Sequence, residues 1–190
     1  MCCNETDFAV ARYHTLLIGY GNTLRADDGA GPAVIKKLSA VLPAYCVEFV
    51  RLIACGQLTP ELALDIAEVR RVIFVDASMA LSPGQLTVRP IHREESNILT
   101  GHHFTPGMLL NMTQRAFGVC PVAWVAAIGC QSTDIGDKLT PQIAAAVDRL
   151  VSHLRNGICQ WINGNNFLPE VLTDVVPAAI MHKQAGKDYL

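Results

Sequence analysis

The chain has 190 residues, enough for one domain with a substantial buried core. Hydrophobic residues make up 51% of it and charged residues only 17%, below the roughly 25% typical of soluble domains, which favours strands buried on both faces of a covered parallel sheet. The net charge of -2, without any basic cluster, argues against nucleic-acid binding, and no run of about 18 or more apolar residues is present to cross a membrane.

Predicted strands and helices alternate along the chain. Mostly apolar runs predict strands near residues 15–20, 47–52, 71–75, 85–89 and 122–128. Helices are predicted over residues 30–42, 60–68, 107–117 and 141–154, the last three opened by a Thr-Pro pair. The alternation predicts an α/β fold, a three-layer α/β/α domain with a mainly parallel, twisted central sheet. We assign this domain to residues 14–156, with an N-terminal arm at 1–13 and a C-terminal extension at 157–190.

The most informative segment is LLIGYGNTLRADDGAGPAV, residues 16–34, in which a predicted strand is followed by two adjacent carboxylates, Asp27 and Asp28. They lie in the turn at the carboxyl end of the strand, where open α/β sheets bind ligands. A dinucleotide is disfavoured, because Leu24 stands where the fingerprint needs its third glycine and the acids would repel phosphate. The pair suits a cation or an activated water, although one acid could instead cap the helix that begins at Ala30.

Two later segments of the sequence provide further side chains that could bind a cation. Asp76 closes the apolar strand VIFVD, which directs a carboxylate to the same edge of the sheet, although Asp is also common in turns. His102 and His103 lie in a predicted loop before a helix, where a single histidine is commonly just solvated. Two carboxylates and one imidazole form a plausible ligand set for nickel, zinc or iron.

The chain resembles the [NiFe]-hydrogenase maturation proteases, endopeptidases that trim the C-terminus of the hydrogenase large subunit. The resemblance covers residues 14–155 and is carried by four segments, GYGNTLRADDGAG (19–31), VIFVDAS (72–78), TGHHFTPGMLL (100–110) and GDKLTP (136–141). It implies a metal site made of Asp28, Asp76 and His102, with His103 as the alternative imidazole. The segment GCQSTDI, residues 129–135, departs from the family, since many relatives have a proline and a glutamate there.

The resemblance also implies an activity. The chain would remove the C-terminal peptide of the immature large subunit after nickel insertion, with nickel arriving in the substrate and without a nucleotide. Asp28 and Asp76 are then the catalytic candidates, and either a metal-activated water or a carboxylate base is compatible with them. The candidate substrate-binding residues are Gly21, Asn22, Cys55 and Gly56. A metal-sensing chaperone that docks on the large subunit without cutting it is the alternative function.

The cysteines and the N-terminal segment bear on the compartment. Seven cysteines are scattered without C-x-x-C spacing, which argues against zinc knuckles and redox dithiols and favours reduced thiols. The segment MCCNETDFAVARYH lacks the charged start and apolar core of a signal peptide. We therefore expect a cytoplasmic monomer that neither inserts into a membrane nor binds nucleic acid.

Overall fold

A five-stranded sheet forms the centre of the molecule. The computed structural model describes residues 13–93 and 104–165. The strands are β1 (Tyr13–Tyr20), β2 (Val50–Cys55), β3 (Val69–Ser78), β4 (Leu86–Ile91) and β5 (Val122–Gly129). They lie in the order β2-β1-β3-β5-β4, and only the edge strand β4 is antiparallel to its neighbour. The mainly parallel sheet predicted from the sequence is confirmed.

Helices cover both faces of this sheet. They are α1 (Ala30–Val41), α2 (Ala44–Val47), α3 (Leu62–Ala67), α4 (Pro106–Phe117) and α5 (Pro141–Ile162). Side chains of α1 and α5 share one core with Leu17, Ile73 and Trp124 of the sheet. Side chains of α3 and α4 pack in a second core on the opposite face, around Phe74. This arrangement confirms the three-layer α/β/α architecture.

Several predicted boundaries are wrong. The second strand begins at Val50 rather than at residue 47, because Val47 belongs to the short helix α2. This strand also continues past the predicted end at residue 52, to Cys55. The third helix starts at Leu62, after a turn in which the carbonyl of Thr59 accepts the amide of Leu62.

The last helix is longer than predicted, and it continues past Leu154 to Ile162. Its amphipathic spacing persists, and Ile158 and Trp161 are both buried in the core that α5 shares with α1. Residue 156, the predicted end of the domain, therefore falls inside α5.

The chain leaves β1 and β3 in opposite directions, which creates a crevice between them. From β1 it crosses over α1 to β2 on one side, and from β3 it proceeds to β4 and β5 on the other. Such a switch point, at the carboxyl ends of parallel strands, is where doubly wound sheets bind ligands. Of the predicted carboxylates, Asp28 follows β1, and Asp76 lies near the carboxyl end of β3. Within the described residues, no helix is both long enough and apolar enough to cross a bilayer.

Candidate active site

Glycines bring the first turn of α1 directly onto the ends of the strands. A side chain at Gly31 would collide with the carbonyl oxygens of Tyr20, the last residue of β1, and of Val75 in β3. Gly21 has φ +137°, a conformation that L side chains rarely adopt, and a Cβ there would strike the carbonyl oxygen of Asp28. The glycines of the motif therefore serve close backbone packing, which places Asp28 at the crevice.

Asp28 is held in place by the loop that follows β1. Its Oδ2 accepts the backbone amide of Asn22 at 2.8 Å, and the Asn22 side chain accepts the amide of Leu24 at 2.9 Å. None of the described residues donates a hydrogen bond to Oδ1 of Asp28. The Asp28 side chain is half-buried. Because the Asn22 amide orients Oδ2, Oδ1 is the oxygen available for a ligand.

Asp76 lies beside it on β3, in an environment that disfavours its charge. Burial, and to a smaller extent the negative charge of Asp28, raises the pKa of Asp76 to about 6. Hydrogen bonds from the Tyr20 side chain and the Ala77 backbone act in the opposite direction. A cation bound between the two carboxylates would offset the effect of the Asp28 charge on Asp76.

Asp27 plays a different part from its neighbour. It is fully buried, and its Oδ1 accepts the Thr140 amide at 2.7 Å. Its Oδ2 accepts the amides of Gln131 and Ser132, both at 3.0 Å, and the Thr140 hydroxyl at 3.1 Å. Although burial opposes it, this set of hydrogen bonds lowers the pKa of Asp27. Asp27 therefore ties the loop after β1 to the loop after β5.

Backbone contacts reinforce the same connection. The Ala26 amide donates to the Gly136 carbonyl at 2.8 Å, and the Gly136 amide donates to the Leu24 carbonyl at 3.0 Å. We call these contacts, together with those of Asp27, the loop clamp. The helix α1 has Gly29 at its N-cap and no side-chain cap, so the alternative that Asp27 or Asp28 caps this helix is wrong.

The predicted site residues are distributed unevenly around the crevice. Gly21 and Asn22 contact Asp28, whereas Cys55 pairs with Tyr20 at the end of β2 and is followed by the exposed Gly56. The two histidines, His102 and His103, lie outside the described residues. In the described part of the chain no three His, Cys, Asp or Glu side chains are grouped closely enough to hold a metal ion. The choice of imidazole ligand stays a prediction.

Sequence reasoning missed two contributors, the clamp role of Asp27 and the hydroxyl of Tyr20 beside Asp76. Adjacent acids signal a candidate site, but they do not show which of them faces inward. Tyr20 could have been noticed as the residue that ends the strand before the glycine turn. Its partner, however, lies on a different strand, so only the pairing of β1 with β3 identifies it.

The fold and the crevice together define a doubly wound α/β protein with a pair of acids at its switch point, and comparisons with known proteins fit this class. No protein-family model matches the chain, and no curated protein matches it. Solved structures do match. The hydrogenase maturating endopeptidase HybD from E. coli is 22% identical, with a TM-score of 0.62 over 80% of this chain and 94% of that one.

Two archaeal structures give the same result. The [NiFe] hydrogenase maturation protease HycI from Thermococcus kodakarensis is 19% identical, with a TM-score of 0.62 over 79% of this chain and 95% of the other. A hydrogenase 2 maturation peptidase from a Thaumarchaeota archaeon is 23% identical, with a TM-score of 0.52 over 80% of this chain and 99% of its own. The chain therefore has the fold of the hydrogenase maturation proteases.

Proposed function

We propose that this chain is a member of the [NiFe]-hydrogenase maturation proteases, an endopeptidase that removes the C-terminal peptide of an immature hydrogenase large subunit. The observation that carries the proposal is the convergence of Asp28 and Asp76 at the β1–β3 switch point, in a fold shared with solved maturation proteases. The four sequence segments that resemble this family support it independently, because three of them contribute to this edge of the sheet or to the loop clamp.

Nickel in the substrate is the recognition element in this proposal. Asp28 and Asp76 supply two carboxylates, and His102 is the proposed imidazole, a set that suits a divalent ion such as nickel. Two carboxylates without a cation repel each other, and the charge of Asp28 adds to the main effect of burial in raising the pKa of Asp76. A precursor that carries nickel would relieve this repulsion, whereas a nickel-free precursor would not.

Two routes to peptide cleavage are compatible with these residues. A divalent ion polarises a nearby carbonyl and acidifies a water molecule. Alternatively, one carboxylate takes a proton from the attacking water, for which Asp76 is suited because its pKa of about 6 lies close to neutral pH. In either route the loop clamp keeps Asp28 at a constant position relative to β3.

Incubation with an unprocessed, nickel-loaded large subunit tests the proposal, with the mass of the subunit as the readout. We expect the wild-type protein to release a C-terminal peptide, and Asp28→Asn and Asp76→Asn to release none. Asp137→Asn is the matched control, because it removes the same charge from an exposed position in the loop after β5. It should cleave like the wild type.

The possible outcomes of this experiment separate nickel recognition, peptide cleavage and the choice of site residues. Cleavage of a nickel-free precursor at an unchanged rate would refute nickel recognition but not the peptidase assignment. Binding of the loaded precursor without any cleavage would favour the non-cutting chaperone. If Asp28→Asn and Asp76→Asn both retain full activity, the site is wrong.

A further inference from the structure

Large apolar side chains are most exposed at the edge of the sheet that carries the crevice. Among the described residues, the three most exposed are Leu24, Met79 and Ile135, with 67%, 70% and 94% of their surface open to solvent. No other large apolar side chain in the described ranges exceeds 58%. The three lie in the loops that follow β1, β3 and β5, parallel strands that end at the same edge of the sheet. We call these three residues the apolar rim.

Leu24 and Ile135 lie on neighbouring stretches of backbone. The carbonyl of Leu24 accepts the amide of Gly136 at 3.0 Å, and Arg25 forms a parallel β-bridge with Gly136. Residues 24 and 135 are therefore side by side, one position before the bridge on each segment, and both side chains are open to solvent. The loop clamp thus holds two exposed apolar side chains next to each other.

Further contacts fix the apolar rim to the loops of the crevice. The Leu24 amide donates to the Asn22 side chain at 2.9 Å, and the Asn22 amide holds Asp28 at 2.8 Å. The Met79 sulfur accepts the thiol of Cys130, a buried residue at the start of the loop after β5, at 3.0 Å. The rim is therefore part of the same rigid loops that carry the crevice, although water covers most of its surface.

Grouped apolar side chains that stay exposed to water mark interaction sites, because a partner that covers them gains the free energy of burial. A polypeptide that presents a bond to the crevice must pass over the loops around it. We propose that the apolar rim is a docking surface for apolar side chains of the precursor that flank the bond to be cut. This inference rests on the proposed function, since it takes the occupant of the rim to be the precursor on which the crevice acts.

The test measures cleavage of the nickel-loaded precursor by Leu24→Ser, Ile135→Ser and the double variant. KM should rise about tenfold in each single variant, because partly covering a leucine or isoleucine contributes roughly this factor to affinity, and it should rise further in the double variant. The value of kcat should stay close to that of the wild type, as expected when only binding is lost.

Val122→Ser is the matched control. Val122 is an aliphatic residue with 57% of its surface exposed, but it begins β5 and so lies at the opposite edge of the sheet from the crevice. Its replacement removes a comparable exposed apolar surface and should leave KM unchanged. An equal rise of KM in Val122→Ser would overturn the proposal, because the effect would then not depend on the rim.

Two measurements separate docking from damage to the site. The thermal midpoints of the rim variants should match that of the wild type, since substitutions of exposed side chains change stability little. Binding of free Ni²⁺, measured by calorimetry, should also be unchanged, because the rim supplies no ligand. A rise of KM accompanied by weaker Ni²⁺ binding would show that the acid pair is disturbed and would overturn the docking role.

The remaining outcomes distinguish this inference from the proposed function. If the wild type cleaves the precursor and the double variant does so with the same KM, the function stands and the docking role is refuted. A rim that joins two copies of this chain would instead give a wild-type dimer in ultracentrifugation, which the double variant dissociates without a change of KM. A wild-type protein that neither binds nor cleaves the loaded precursor would refute the proposed function, and the docking role with it.

Discussion

Replacing Asp27 should destabilise the protein more than any other single change of an acid in this region. The buried carboxylate accepts four hydrogen bonds, three of them from backbone amides. In Asp27→Asn, the amide group must point its own donor at one of these backbone donors, whichever way it is oriented. At least one buried amide then loses its acceptor, and the remaining hydrogen bonds lose their charge.

The expected loss can be estimated from these contacts. One unsatisfied buried donor costs about 1–3 kcal/mol, and replacing charged by neutral hydrogen bonds adds to this. We therefore expect the free energy of unfolding to fall by about 2–4 kcal/mol in Asp27→Asn. In Asp27→Ala it should fall by about 3–5 kcal/mol, because all four hydrogen bonds disappear. For a chain of this size each kcal/mol corresponds to about 2–4 °C, so the thermal midpoint of Asp27→Asn should fall by roughly 10 °C.

Thermal unfolding followed by circular dichroism measures this difference, with Asp137→Asn as the exposed control. Because the pKa of Asp27 is lowered in the folded state, its contribution is complete above the unfolded value of 3.8 and is lost as the pH falls through the folded value. The difference in thermal midpoint between the wild type and Asp27→Ala should thus persist from pH 7 to pH 5 and become smaller only in stronger acid. A midpoint for Asp27→Asn within about 2 °C of wild type would refute the clamp.

Three further predictions concern the crevice. Asp76→Asn should raise the thermal midpoint of the metal-free protein at pH 7 and leave it unchanged at pH 4. Because the pKa of Asp76 in the folded state is raised to about 6, the wild-type protein loses stability as the pH rises through 6. The loss is about 1–3 kcal/mol, since a pKa difference of one corresponds to about 1.4 kcal/mol. His102→Ala should weaken Ni²⁺ binding, measured by calorimetry, more than His103→Ala does. Gly31→Ala should abolish processing and lower the yield of folded protein, since its methyl group would strike backbone carbonyls of β1 and β3.

Contrary results are equally specific. A lower midpoint for Asp76→Asn at pH 7 would show that its charge is stabilised rather than penalised. If both histidine variants bound Ni²⁺ as tightly as the wild type, neither histidine would belong to the proposed ligand set. A fully active Gly31→Ala would mean that α1 does not approach the strands as closely as the structure indicates.

The alternation of strands and helices was predictable because its signals are local. Apolar runs and Thr-Pro pairs require no knowledge of distant residues, and Thr105 indeed caps α4 by accepting the amide of Met108. The glycine-rich turn and Asp28 were likewise predictable, since carboxyl ends of parallel strands meet at one edge. The boundary of β2 was not, because residue 47 has strand-like neighbours on both sides but belongs to α2.

By itself the sequence determined which segments are strands and helices and that acids lie near the carboxyl ends of β1 and β3, because periodicity and turn chemistry act over a few residues. Only the tertiary structure decided what these acids contact. Asp27 and Asp28 are neighbours of the same type, yet one is buried against a loop more than a hundred positions away and the other lies at the crevice. Burial and long-range pairing assign those roles, and neither is encoded in the local pattern that placed the pair.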